Sequence, residues 1–263
     1  MSAGRKPTIE IEREGPVGRV WLARSEVRNA FNAVLIGELR AALRGLAEDA
    51  EVRVVVVSGR GSAFCAGADL AWMREGGLAS YDKNLQESLD LSECLHELYA
   101  LPKPTIARVN GPAIGGGTGF VAACDISVAS TEASFGLSEV KIGVVPAAIS
   151  PYVLRRIGES QARRYFLTGE RIDARRALEI GLVNLVVEPG DLDRTVAGLA
   201  SALFTSAPGA LAKAKELLAR VPAMDMEKAK RYTAEMIADL RASAEAQEGM
   251  AAFLEKRKPK WSA

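Results

Sequence analysis

The chain contains one histidine, His96, and three cysteines, Cys65, Cys94 and Cys124, with no CxxC pair. A transition-metal site needs several closely spaced sulfur or imidazole ligands, so no metal is expected. Isolated cysteines in odd number among apolar neighbours also argue against a disulfide framework. Reduced, buried thiols and a cytoplasmic location fit better. Net charge is nearly absent too: 34 Lys and Arg face 33 Asp and Glu, leaving +1. With no overall basic field and no basic stripe interleaved with aromatics, neither nucleic acid nor a membrane surface is an expected partner. No run reaches the roughly 18 apolar residues of a membrane span. The opening MSAGRKP lacks the apolar stretch of a secretory leader.

What is present is ordinary globular material: 263 residues, 48% hydrophobic and 25% charged. That suffices for one large domain, or for a core with an appendage. Thr8 to Glu12 and Val17 to Ala23 read as strands joined by a Gly-Pro turn. Asn32 is placed to cap a helix over Ala33 to Ala47, where Leu35, Leu39, Leu43 and Leu46 recur at helical spacing. Val52 to Ser58 is nearly all β-branched, as in a strand covered on both faces. A helix over Tyr81 to Ala100 stops before Leu101-Pro102, and strands are expected at Thr105 to Val109 and Asp125 to Ala129. Between those strands lies a short helix, about Gly116 to Ala123. Strand, glycine turn and helix in succession predict an α/β core with crossover connections. After Asp191 the pattern is helical only, over Ala197 to Phe204, Ala207 to Arg220 and Met226 to Lys256. Composition therefore divides the chain into an α/β core, 1–195, and a helical region, 196–263.

Two segments carry the chemistry. Gly61 to Asp69 (GSAFCAGAD) and Asn110 to Gly119 (NGPAIGGGTG) are Gly/Ala-rich turns whose backbone N–H groups a ligand can approach closely. Brought together, they would aim two amides at one developing oxyanion. About twenty residues later comes an acidic residue in a non-helical run, Glu139 in Phe135-Gly136-Leu137-Ser138-Glu139. Apolar neighbours would raise its pKa toward the range useful for acid–base work.

These segments, with Phe64, Asp69, Asn110 and Asp125 in matching places, resemble the crotonase (enoyl-CoA hydratase/isomerase) family from about Ile9 to the C-terminus. The resemblance implies an α/β spiral of ββα units with C-terminal helices at a trimer interface, hence a homotrimer or a dimer of trimers. It implies an acyl-CoA thioester as substrate, with coenzyme A arriving as part of it and no separate cofactor. The oxyanion amides would be those of Ala68 and Gly116, with Glu139 as acid–base. Family hydratases commonly carry a first glutamate two positions after the GGG triplet, and this chain has Gly119 there. Members of the 3-methylglutaconyl-CoA type, linked to leucine breakdown, share that glycine, and the run from Ser138 to Pro151 is similar to theirs. With one carboxylate, hydration of a 2-enoyl thioester and Δ3,Δ2 isomerisation both stay open, and so does a catalytically weak, RNA-binding member. A glutamate placed at 119 would either hold water and raise hydration or clash with a bulky acyl group.

For the coenzyme, the resemblance assigns Arg24 and Arg28 to phosphate and Val27 and Ala30 to pantetheine. Ala66, Asp69 and Leu70 would neighbour the adenine, and Phe253 and Lys256 would serve a neighbouring subunit's ligand. Trp72 and Met73 belong to the segment that shapes the acyl pocket. The amide of Ala147 could help hold the attacking water. A distal carboxylate on the acyl group would require a cation, with Arg74, Lys83 and Arg108 as candidates. Tyr81 is open between pocket and core, and His96 reads as structural or surface.

Overall fold

The structure is a computed structural model that describes residues 6–262. Residues 1–5, part of the segment expected to hold no leader, lie outside the described residues. In chain order the strands are β1 (Ile9–Glu14), β2 (Val17–Leu22), β3 (Val54–Gly59), β4 (Thr105–Val109), β5 (Ala113–Ile114), β6 (Ile126–Ser130), β7 (Ser134–Gly136), β8 (Arg171–Asp173) and β9 (Leu185–Val187). The helices are α1 (Ala33–Glu48), α2 (Leu70–Leu78), α3 (Tyr81–Tyr99), α4 (Gly116–Ala123), α5 (Ser150–Thr168, interrupted at Gly158), α6 (Ala174–Glu179), α7 (Leu192–Phe204), α8 (Pro208–Arg220), α9 (Met226–Ala242) and α10 (Ala244–Leu254).

The main sheet runs β1-β2-β3-β4-β6-β9, with an antiparallel β1–β2 hairpin and parallel pairing from β2 onward. Every residue of β3 is buried, and the period of two sorts its valines. Val55 and Val57 enter the large core beneath α1 and α3, while Val54 and Val56 face Leu192, Val196 and Ala200 of α7. Helix α1 begins at Asn32, whose side chain accepts from the Leu35 amide at 3.1 Å. Its buried stripe is Leu35, Ile36, Leu39, Leu43 and Leu46.

A smaller ladder lies beside the main sheet. Cys65 bridges Ala113 of β5, β5 pairs with β7, and β7 pairs with β8. Each turn of the chain thus supplies one strand to the main sheet, a short segment to the ladder, and then a helix: β4, β5, α4, and then β6, β7, α5. That is the expected spiral of ββα units.

Three details differ from the sequence reading. Helix α7 crosses the 195/196 boundary, and Val196 and Ala200 pack on the main sheet, so sheet-bound chain continues to Phe204. Composition had marked the loss of strands, not the loss of contact. The helix expected from Met226 to Lys256 is two, broken at Ser243, which adopts an extended conformation and caps α10 through the Ala246 amide. The segment after the first glycine turn forms α2, capped by Asp69. The cysteines are free and buried, and desolvation pushes all three thiols up to about 12. No single helix is long and apolar enough to cross a membrane.

Buried Asn29 ties the first glycine turn to the chain before α1. Its amide donates to the carbonyls of Arg60 (2.9 Å) and Ala63 (2.8 Å) and accepts from the Arg24 N–H (3.0 Å). Replacing it with alanine strands several buried polar groups at once. Asn29→Ala should cost about 2–4 kcal/mol in urea unfolding, at about 1–3 kcal/mol per stranded group.

Candidate active site

The two glycine turns dock on each other. The amide of Ile114 donates to the Cys65 carbonyl at 2.9 Å, and that of Cys65 to the Pro112 carbonyl at 3.1 Å. Gly67, at φ 96°, passes so close that an added Cβ would lie 2.9 Å from the Ile114 oxygen. A Cβ at Gly117 would overlap the Cys65 carbonyl, and one at Gly116 would sit 2.5 Å from the Phe31 ring. Only glycine permits this approach.

The docking leaves amides unspent. Phe31 donates to the Gly67 carbonyl and accepts from the Asp69 amide, each at 2.8 Å, so it bonds on either side of Ala68. Alternation along the bridge turns the N–H of Ala68 away from Phe31, and Ala68 borders the cavity. In α4 the first helical bond runs from the Gly119 amide to the Gly115 carbonyl at 3.2 Å. The N–H groups of Gly116, Gly117 and Thr118 therefore have no acceptor within the helix, and Gly116 borders the same cavity.

Register places the carboxylate. Gly136 of β7 pairs with Ile114 of β5, and its carbonyl accepts from the Gly115 amide at 2.7 Å. Three residues on, at the end of the expected non-helical run, Glu139 opens a tight 3-10 turn, Glu139–Ile142. Gly143, in the left-handed region, closes that turn by donating to the carbonyls of Glu139 and Val140. The carboxyl lies against Gly115, with Oε1 3.0 Å from where a Cβ would stand. Its Oε2 is buried without a hydrogen-bond partner. Burial pushes this carboxyl above the ordinary glutamate range, opposed only by its own backbone amide.

The surrounding cavity, about 530 Å³, is lined by Ala66, Ala68, Leu70, Trp72, Met73, Gly116, Glu139 and Ala147 among the anticipated residues. The sequence reading missed Phe31, Asn84, Glu87, Ser88, Leu91 and Ile149. Phe31 packs edge-on to Trp72 (6.1 Å between centroids) and Phe120 (5.6 Å), which gives the cavity a rigid aromatic floor. Asn84, Glu87, Ser88 and Leu91 follow i, i+3, i+4, i+7 spacing on α3, a readable signal that passes for a solvated face.

The structure also places the remaining candidates, and some are already committed to neighbours. Arg24 is not free for a phosphate: it donates to the Ala30 carbonyl at 2.5 Å and to Asp69 at 3.0 Å. Asp69 likewise caps α2 through the Ala71 amide. Burial raises its pKa, but Arg24 and the backbone amides outweigh that and hold the carboxyl below the usual range. The Ala147 N–H already donates to the Val145 carbonyl at 2.7 Å, so it does not serve a water. Val27 and Arg28 are exposed and Ala30 is buried, off the cavity lining but on a loop docked at its rim, where the Ala66 amide donates to the Arg28 carbonyl at 2.9 Å. Phe253 and Lys256 are exposed at the end of α10, away from this chain's cavity. Arg108 is engaged by Asp193 at 2.7 and 2.8 Å, and neither Arg74 nor Lys83 lines the cavity. Tyr81 and His96 are exposed. Asn110 and Asp125 are braces: Asn110 donates to the Gly61 carbonyl, and Asp125 binds Thr105 and Lys215. Among the described residues no cluster could hold a metal ion.

Gly119 is the largest correction. It is buried, and a Cβ there would overlap Cγ2 of Ile149, itself part of the cavity wall. An isoleucine occupies the space that a glutamate at 119 would need.

Known proteins share this sequence pattern and fold. The family described as enoyl-CoA hydratase/isomerase matches residues 12–263. The chain belongs to this family. A crystal structure of an enoyl-CoA hydratase from Shewanella pealeana superposes with a TM-score of 0.93 at 38% identity, covering 97% of this chain and 96% of that one. A short-chain-enoyl-CoA hydratase of Clostridium acetobutylicum is 34% identical over 95% of each chain. The 2,3-dehydroadipyl-CoA hydratase of Escherichia coli is 35% identical over 95% of this chain and 96% of its own. Family membership makes this chain an enzyme of the enoyl-CoA hydratase/isomerase class and an acyl-CoA thioester its fitting partner.

Because Ile149 fills the site, Gly119→Glu should lower both stability and turnover, since overpacking costs about 1–3 kcal/mol. Adding Ile149→Ala should recover part of the lost stability. Thermal unfolding of the single and double variants checks this, and a stable, more active single variant would contradict the packing.

Proposed function

We propose that this enzyme adds water across the 2,3 double bond of a 2-enoyl-CoA thioester. The observation that carries the reading is the convergence, on one cavity, of Glu139, whose Oε2 is unpartnered, with residues Ala68 and Gly116, whose amides have no backbone acceptor. Glu139 takes a proton from water as the water oxygen bonds to C3. The π electrons pass to the thioester oxygen, and the two amides hold the resulting enolate. The protonated carboxyl then returns its proton to C2, so the elements of water are added and the glutamate is regenerated. Amides fixed in a packed turn need no reorganisation as charge develops.

Coenzyme A arrives with the substrate. The exposed loop at Val27 and Arg28 is suited to its pantetheine and phosphates, with Arg24 bracing that loop and Asp69 bracing Arg24. The single carboxylate at the centre, with Ile149 in place of a second, also suits a Δ3,Δ2-isomerase, in which Glu139 would take a proton from C2 and return it to C4. Incubation with a 2-enoyl-CoA and with a 3-enoyl-CoA separates the two, because conjugated-thioester absorbance falls in one case and rises in the other. Salt-sensitive RNA retention with no turnover of either substrate would favour a binding role instead. A cytoplasmic setting goes with the reduced thiols.

Helices α8, α9 and α10 expose Leu218, Met226, Ile237, Met250, Phe253 and Leu254, a surface that a homotrimer or dimer of trimers would cover. A sedimentation mass of three or six chains is expected, and a monomer would contradict it.

Glu139→Gln should lower kcat by about 10²–10⁴-fold while leaving acyl-CoA affinity nearly unchanged. In the wild type the carboxylate must be ionised to accept the proton. With its pKa raised by burial, kcat/KM should fall as pH drops through a value above the ordinary glutamate pKa of about 4.3. Near-wild-type hydration by Glu139→Gln would remove Glu139 from the reaction.

A further inference from the structure

We infer that Glu87 sets the acyl preference of this cavity, admitting neutral chains and rejecting those that end in a carboxylate. The inference rests on the enoyl-CoA reading and narrows its substrate class.

The wall in question is formed by α2 and α3. On α3, Leu91 packs against the core and borders the cavity, and one turn toward the exposed end stand Glu87 and Ser88, then Asn84. On α2, Trp72, Met73, Gly76 and Gly77 complete the wall. Gly76 makes room for the acid: a Cβ there would lie 3.0 Å from Glu87 Oε2 and 3.9 Å from Asn84 Oδ1. The lining therefore changes from apolar at Leu91, Trp72 and Ile149 to polar and acidic about 6 Å further along α3.

Among the described residues the Glu87 carboxylate forms no ion pair and no side-chain hydrogen bond, although Lys83 stands one turn away on α3, outside the cavity lining. The nearby arginines on α1 are taken elsewhere, Arg40 by Asp90 and Glu97, and Arg44 by Glu97. Among the described lining residues there is no Lys, Arg or His, and the charged groups are Glu87 and Glu139. A substrate carboxylate would meet two acids and no cation in the lining of the cavity. A hydrocarbon tail meets Leu91 and Trp72 and leaves Glu87 hydrated at the rim. Discrimination of this kind works by repulsion of the wrong ligand. Like charges within about 6 Å at a partly screened site weaken binding by roughly 10- to 100-fold.

The test uses a matched pair of six-carbon substrates, 2-hexenoyl-CoA and 5-carboxy-2-pentenoyl-CoA, with the methyl ester of the latter as a neutral isostere. For the wild type, kcat/KM should favour hexenoyl-CoA over the acid by at least about tenfold, with most of the difference in KM, and the ester should behave as a neutral chain. The ratio should shrink in Glu87→Gln and shrink further or invert in Glu87→Lys, and high salt should compress it in the wild type. The E. coli relative named for 2,3-dehydroadipyl-CoA serves as the control that the acid substrate is competent. Calorimetric binding of saturated hexanoyl-CoA and 5-carboxypentanoyl-CoA gives the same ratio without turnover. If no enoyl-CoA is hydrated, the hydration reading fails, while the binding ratio still decides the role of Glu87. Equal use or equal binding of acid and neutral chains by the wild type, or a ratio that Glu87→Lys leaves unchanged, would overturn the inference.

Discussion

The close docking of the two glycine turns is the constraint on which the site depends. The bridge between Cys65 and Ala113 brings backbone to backbone, and a Cβ at Gly67 or Gly117 would push the two turns apart. Once the turns are docked, the amides of Ala68 and Gly116 have no protein acceptor to satisfy them within their own bridge or helix. The same ladder continues from β5 to β7, so it also sets where Glu139 emerges. Oxyanion donors and acid–base group are therefore positioned by one set of backbone hydrogen bonds. Side-chain packing is secondary to it, supplying the aromatic contacts of Phe31 and Trp72 in the lining and of Phe120 behind Phe31.

Electrostatics in the cavity follow from what surrounds each acid. Glu139 is half-buried among apolar groups, with one oxygen unsatisfied, so its charged form is disfavoured and its proton affinity rises. Asp69 is also partly buried, yet Arg24 and two backbone amides reverse the sign of its shift. One acid is left reactive and the other is made structural by the presence or absence of a fixed donor. Two residues after the glycine triplet there is a hydrocarbon contact, Gly119 against Ile149, and no carboxylate. This shifts the balance of the cavity toward a single proton-transfer group.

Much of the fold was legible because local signals and tertiary environment agree. The capping Asn32, the leucine spacing of α1, and the Thr105–Val109 and Gly116–Ala123 elements coincide with their expected positions, and the valine run forms β3 within a residue or two of the expected bounds. The break at Ser243 was not legible, because serine within an Ala- and Glu-rich run is compatible with a continuing helix. Nor was α2 read as a helix, its two glycines and aromatic residue giving no clear period. The acidic lining from α3 was hidden for another reason. Asn84, Glu87 and Ser88 have the composition of a water-facing surface, and a concave surface looks the same as a convex one along the chain.

The sequence by itself determined the residue types that this chemistry requires: glycines where backbones must touch, and one acid at the right distance along the chain from the second turn. Family membership was readable from those motifs, since they are local in sequence. Only the tertiary structure decided which polar groups are already spent. Arg24, Asp69 and the Ala147 amide look available in one dimension but are consumed by neighbours in space. Gly119 looks open but is filled by Ile149, thirty residues away. Hydrogen-bond commitments and excluded volume are pairwise properties of distant residues, which is why they first appear when the chain is folded.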